Sequence, residues 1–136
     1  MLPKPQSALV PNTFAYETTP LVKPTGFREY DARWLLGEEI NLMGFQALGM
    51  GLGTLLGELG VQRRIVTGHD FRSYSASVKL ALVSGLLSAG CEVHDIGLCQ
   101  GPGMGREFLP DLEIVKLTCA HLDSLCVVHK TGRPRP

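Results

Sequence analysis

The sequence predicts an α/β fold built around a parallel sheet, and three features of its central part lead to that prediction. Residues 64–67 (RIVT) form a short β-branched run, residues 76–87 repeat apolar side chains at helical spacing, and residues 91–98 (CEVHDIGL) form a second strand-like run. A strand, a helix and a strand within about thirty residues make a βαβ unit. Such a unit implies parallel strands joined by a right-handed crossover. Ser73 or Ser75 is predicted to cap the helix.

A longer helix is predicted before this unit, beginning at residues 37–39 (GEE) and ending near Gly60. Two glutamates suit the positive end of a helix dipole, and a glycine after the last apolar turn suits a helix C-terminus. Gly49, Gly53 and Gly57 recur four residues apart on one face of this helix. Each costs about 1 kcal/mol relative to alanine, so we expect close packing against another backbone to offset them.

The remaining segments predict three regions along the chain. Residues 1–25 contain five prolines and are predicted to form an extended arm. Residues 26–98 form the predicted core, which opens with a strand at residues 27–34 (FREYDARW), where aromatic and charged residues alternate. Residues 99–136 read as a divergent tail with a last strand at residues 112–118 followed by disorder.

The charge balance argues against nucleic acid and membrane surfaces as partners. Thirteen basic and thirteen acidic residues give a net charge of zero in 136 residues, a length that suits one domain. The apolar stretch at residues 40–59 is interrupted by polar residues and glycines, which indicates a buried helix more readily than a membrane span. We expect neither nucleic acid nor a membrane as a partner.

The cysteines predict a reducing compartment. No Cys-x-x-Cys pair occurs, and the N-terminal residues lack the apolar segment of a signal peptide, so a cytoplasmic protein is expected. Cys119, His121, Cys126 and His129 offer four zinc-binding side chains in a short span. Their spacing matches none of the common structural zinc patterns, so buried thiols are the preferred interpretation.

The turn at residues 68–73 (GHDFRS) lies where a predicted strand ends and a helix begins. That edge of an α/β sheet is where ligands bind, and backbone amides there together with Arg72 could hold a phosphate. In the other interpretation, Asp70 and Arg72 pair with each other and shape the turn. The residues alone do not decide between the two.

Three segments together resemble the first domain of the α-D-phosphohexomutases, the phosphomannomutase and phosphoglucomutase family. Residues 24–33 (PTGFREYDAR) resemble the family's opening strand, F-R-x-Y-D-I-R-G. Residues 66–73 (VTGHDFRS) resemble its V-G-x-D-x-R-x-S segment, and residues 86–98 (LLSAGCEVHDIGL) resemble its G-L-x-x-x-G-x-x-V-x-D-x-G strand. The segments occur in family order and at family spacing.

The resemblance implies a three-layer α/β/α domain with a mixed, mostly parallel sheet. It also implies a chemistry in which a phosphoserine and a bound Mg²⁺ move a phosphoryl group between two positions of a hexose phosphate. Tyr30, Arg33 and His121 match family residues at the substrate phosphate. Tyr30 as a core side chain, and Arg33 in a surface ion pair with Asp31 or Glu29, are the alternatives.

The pattern breaks where the family carries its phosphoserine, in a T-A-S-H-N segment. Here residues 118–123 read TCAHLD, which places Ala120 at the serine and Leu122 at the asparagine. Alanine has no oxygen to carry a phosphoryl group. The family's metal loop, D-G-D-x-D-R, does not occur in these 136 residues either, so no cofactor is expected in this chain, and Mg²⁺ is implied only for the full-length family.

We therefore expect a fragment of a phosphohexomutase that is inactive by itself. The change of pattern after Leu98 fits a truncated or rearranged gene, and it fits a diverged stand-alone domain equally well. A non-catalytic module that binds a sugar phosphate or free phosphate is the alternative function. Self-association through an exposed domain interface is a further expectation. The residues do not indicate which hexose is used.

Overall fold

The computed structural model describes residues 3–28, 31–98, 113–120 and 125–129. Their order along the chain is α1 (Phe14–Thr18), a 3-10 turn (Pro24–Gly26), β1 (Asp31–Leu35), α2 (Leu42–Glu58), β2 (Arg64–His69), α3 (Ser75–Ser88), β3 (Glu92–Leu98), β4 (Glu113–Ala120) and β5 (Leu125–His129).

The strands form one mixed, mostly parallel sheet, as predicted. Its order is β1-β4-β5-β2-β3. β1 pairs parallel with β4 and β2 pairs parallel with β3, whereas β5 runs antiparallel to both of its neighbours. Four of the five strands therefore point the same way, and β2, α3 and β3 form the predicted βαβ unit.

The two ends of the chain differ from the prediction. The prediction of disorder after residue 118 is wrong for residues 125–129, which form β5. This apolar, β-branched run (LCVVH) pairs with a strand on each side, and the pairing satisfies its backbone groups. The arm is not wholly extended, because Thr13 caps α1 by accepting a hydrogen bond from the Tyr16 amide. The last strand predicted at residues 112–118 overlaps β4 (Glu113–Ala120), and the residues of the predicted tail other than those of β4 and β5 lie outside the described residues.

Both helix starts also differ from the prediction. α2 begins at Leu42, not at residues 37–39, because the side chain of Asn41 caps it by accepting a hydrogen bond from the Gly44 amide. α3 begins after Tyr74 without a side-chain cap. The hydroxyl of Ser75 donates to Asp70 instead, so the predicted serine cap is wrong.

The buried core lies between the sheet and the pair of packed helices α2 and α3. The apolar members of this cluster are Ala32, Trp34, Ile40, Phe45, Leu56, Ile65, Val78, Leu82, Leu86 and Cys91. Leu21, from the predicted arm, is fully buried as well. In the part of the chain that the structure describes, no helix combines the length and the apolar character that crossing a bilayer requires.

Glycines set the distance between α2 and α3. A Cβ atom at Gly49 would fall on the carbonyl oxygen of Leu82, and one at Gly85 would fall on the carbonyl oxygen of Gln46. The expected packing against another backbone is thus confirmed at Gly49. Gly53 and Gly57 face side chains instead, including that of Arg63 next to Gly57.

The contact between the helices predicts opposite effects for two alanine substitutions. Gly85→Ala should lower the free energy of unfolding by about 2 kcal/mol, because the added methyl group overpacks the backbone of α2. Gly51→Ala is the matched control, since nothing lies within 4 Å of its Cβ position. It should raise stability by up to about 1 kcal/mol through helix propensity. Urea unfolding measures both, and equal effects would contradict the account.

Candidate functional site

Arg33 projects from β1 on the side away from the core. Its neighbours Ala32 and Trp34 are buried, whereas Arg33 is exposed, as strand alternation requires. The indole of Trp34 donates a 2.7 Å hydrogen bond to the carbonyl oxygen of Lys23 and meets the rings of Phe27 and Phe45 edge to face. This packing fixes the backbone that carries Arg33.

β4 brings the segment aligned with the phosphoserine next to Arg33. The two strands are parallel neighbours, with Arg33 in register with Thr118 and Leu35 in register with Ala120. Ala120 is the last residue of β4, so it lies at the carboxyl edge of the sheet. Tyr30 and His121, the other predicted phosphate contacts, lie outside the described residues.

The turn after β2 reaches the same edge of the sheet but some distance away. Ala32 and His69 share one register row, so Asp70 follows at the level of Arg33. β4 and β5 lie between β1 and β2, and three strand spacings of roughly 4.8 Å separate the two sites by about 14 Å.

Within that turn, Asp70 and Arg72 are bound to each other. The guanidinium of Arg72 lies 3.0 Å from one carboxylate oxygen of Asp70, and both side chains are largely buried. The other oxygen of Asp70 accepts hydrogen bonds from the Arg72 amide, at 3.2 Å, and from the hydroxyl of Ser75. The structure therefore has the pairing that shapes the turn, and a phosphate role for Asp70 and Arg72 stays a prediction.

Comparison with known proteins identifies the family. Residues 24–106 match the family model described as phosphoglucomutase/phosphomannomutase, alpha/beta/alpha domain I. The chain belongs to this family. The match contains Arg33, the Asp70 turn and the whole βαβ unit, so the predicted fold class and the resemblance are both confirmed.

Curated relatives agree with this assignment of a phosphohexomutase domain I. An Escherichia coli phosphomannomutase is 45% identical over 74 residues, which are 54% of this chain and 15% of that protein. A phosphoglucomutase/phosphomannomutase of Thermococcus kodakarensis is 39% identical over 79 residues, 57% of this chain and 17% of that protein. A probable phosphoglucosamine mutase of Pyrococcus furiosus is 52% identical over 58 residues, 43% of this chain and 12% of that protein.

The matched segment therefore spans less than a fifth of each of these relatives. No solved structure gives a significant match to the chain.

The domain also contains an ion pair between a buried lysine and a partly exposed aspartate, which the sequence analysis missed. Lys79 on α3 is buried, and its ammonium group lies 2.6 Å from a carboxylate oxygen of Asp95 on β3. The signal was available, since a lysine three residues after Ala76 lies on the apolar stripe of the helix and needs a partner there. Beside this pair, Thr67 Oγ1 and His69 Nδ1 are buried without a hydrogen-bond partner in the described residues.

A shallow depression lies between α1, the start of α2 and the start of α3. Its volume is about 330 Å³, and its lining consists of Tyr16, Glu17, Leu36, Asn41, Leu42, Met43, Tyr74 and Ser77. Glu17 is the one charged residue in that lining, and a carboxylate repels phosphate. The depression therefore does not suit a phosphate group.

Asp95 predicts an acid-dependent part of the stability. Burial opposes its ionisation, but the hydrogen bonds from Lys79 and from the Gly97 amide outweigh burial and lower the pKa of Asp95 below its ordinary value of 3.8. The unfolded chain then binds the extra proton, so the stabilisation is present above about pH 3.8 and is lost as the pH falls further. Asp95→Asn should lower the melting temperature at pH 7, and its difference from wild type should shrink in acid.

Thermal unfolding of both proteins across this pH range measures the effect. Glu38→Gln, which removes an exposed carboxylate, is the control and should leave the curve unchanged. A difference for Asp95→Asn that stays constant with pH would refute the role of the pair.

Proposed function

We propose that this chain is the first domain of a phosphohexomutase and contributes Arg33 and Tyr30 to the binding of a hexose phosphate. By itself it has no mutase turnover. The observation that carries this proposal is the position of Arg33, which is exposed on β1 within the segment that matches the family and lies beside the carboxyl end of β4.

The chemistry of Arg33 supports a phosphate contact. A guanidinium offers two parallel N–H donors to a phosphate and stays charged at every physiological pH. Buried residues on both sides of Arg33 hold its backbone, so part of the ordering cost of binding is met before the ligand arrives. Tyr30 and His121 are carried over from the family motif alone.

The lack of turnover is proposed from Ala120. The parallel pairing of β4 with β1 brings Thr118 and Ala120 alongside the strand of Arg33, which supports their alignment with the family's phosphoserine segment. A methyl group cannot accept a phosphoryl group, and neither a rotamer change nor a pKa shift supplies the missing oxygen.

The metal is a second requirement that these residues do not meet. Phosphoryl transfer needs a cation to neutralise the transferring group. Among the described residues, no group of three histidine, cysteine or acidic side chains could hold a metal ion. The chain also lacks the D-G-D-x-D-R loop. The donor set therefore does not fit Mg²⁺, and the residues that bind it in the family are proposed to lie in other domains.

Two further expectations remain proposals. A cytoplasmic location is supported by Cys91, a buried free thiol in the described part of the chain. Self-association through an exposed domain interface stays a prediction.

A titration tests the binding role of Arg33. Adding mannose 1-phosphate or inorganic phosphate to the ¹⁵N-labelled chain should shift the resonances around Arg33, and Arg33→Ala should weaken binding by about tenfold or more, the value of a charge-assisted hydrogen bond.

Arg64→Ala is the matched control for this titration. It removes the same charge from an exposed arginine at the amino end of β2, the opposite edge of the sheet, and should leave binding unchanged. Equal losses in the two variants would indicate nonspecific attraction and contradict the proposal. Binding without turnover is also the result that the alternative function, a non-catalytic phosphate module, requires.

A further inference from the structure

Glu39 binds both backbone polar groups of Leu35, the residue that ends β1. The Leu35 amide donates a 2.8 Å hydrogen bond to the carboxylate of Glu39, and the Glu39 amide donates a 2.9 Å hydrogen bond to the carbonyl oxygen of Leu35. Leu35 lies two residues after Arg33. The side chain of Glu39 therefore satisfies the Leu35 amide, and the backbone amides of Glu38, Glu39 and Ile40 satisfy the Leu35 carbonyl oxygen.

Glu39 is also linked, through Lys23, to Trp34, the residue that directly follows Arg33. The carbonyl oxygen of Glu39 accepts a 2.8 Å hydrogen bond from the Lys23 amide, and the carbonyl oxygen of Lys23 accepts the 2.7 Å hydrogen bond from the indole of Trp34. We call these four residues, Lys23, Trp34, Leu35 and Glu39, the β1 clamp. Trp34 and Leu35, which directly follow Arg33, both belong to it.

The Glu39 carboxylate is not needed to form the turn after β1. Gly37 has a φ of 94° there, a conformation that glycine adopts readily. Its amide donates a 2.8 Å hydrogen bond to the carbonyl oxygen of Ile40, which already closes the turn. Glu38 contributes only its backbone amide to the same turn, and Glu38 is exposed. The carboxylate of Glu39 therefore stabilises the carboxyl end of β1 and is not needed for the turn.

We propose that Glu39 is a positioning residue that fixes the carboxyl end of β1 and thereby the direction of Arg33 toward a bound phosphate; this rests on the proposed function. A guanidinium presents its donors in a fixed plane, so a shift of the strand end misaligns the fork with the phosphate. The clamp needs an acceptor at Glu39, not a charge. A neutral glutamine should therefore preserve it and remove a carboxylate that repels the ligand.

Three variants test this proposal. In Glu39→Ala, ¹⁵N relaxation should show greater mobility of Arg33 without ligand, and inorganic phosphate should bind about tenfold more weakly, because misalignment of a binding group is costly. Glu39→Gln should restore the order of Arg33 and bind at least as tightly as wild type. Glu38→Ala is the matched control and should change neither measurement.

The outcomes separate positioning from a general effect on stability. The proposal would be overturned if Glu39→Ala and Glu38→Ala had the same Arg33 mobility and the same phosphate affinity. This holds even if Glu39→Ala had a lower melting temperature. If Glu39→Ala does not fold, Trp34→Phe removes the hydrogen bond to Lys23 and keeps a smaller aromatic ring, and unchanged Arg33 mobility in that variant would overturn the proposal too. If wild type binds no phosphate, the proposed function fails, and Arg33 mobility alone still decides on the clamp.

Discussion

The hydrogen bonds of the buried Asn41 side chain join the end of the N-terminal arm to the start of α2. Its Oδ1 atom accepts from the Leu21 amide at 2.9 Å and from the Gly44 amide at 2.7 Å. Its Nδ2 atom donates to the carbonyl oxygens of Tyr16, at 2.7 Å, and Thr19, at 2.9 Å. A buried amide that is satisfied this fully defines one arrangement of its partners. The start of α2, the end of the arm and the burial of Leu21 all follow from it.

Contacts between neighbouring residues connect Asn41 to the candidate site. The arm continues from Leu21 to Lys23, whose carbonyl oxygen receives the indole of Trp34, and Trp34 holds β1 against Phe45 of α2. The close approach of α2 to α3 at Gly49 and Gly85 then places the βαβ unit behind the strand. Arg33 is thus positioned on β1 by a continuous set of buried contacts, although Arg33 itself is exposed.

The sequence pattern correctly predicted those parts of the fold that depend only on residues close together in the chain. The βαβ unit followed from β-branched runs around an apolar stripe. The start of α2 was predicted wrongly, because two glutamates at residues 38 and 39 are typical of the first turn of a helix. In the structure, Glu39 binds the end of β1 and Asn41 caps the helix. β5 and the Lys79–Asp95 pair depend on neighbours distant in sequence. At the site, the motif identified Arg33, and only the register between β1 and β4 relates it to Ala120.

We propose that this domain keeps the strand that presents a cation to a phosphorylated sugar and lacks the atom that would accept the phosphoryl group. The most direct measurement is a turnover assay of the purified 136-residue chain with mannose 1-phosphate, Mg²⁺ and a hexose bisphosphate activator, with a full-length phosphomannomutase as the positive control. No product above the blank is expected. Turnover that disappears in Arg33→Ala would contradict the proposal, because the activity would then belong to this site without a serine at residue 120.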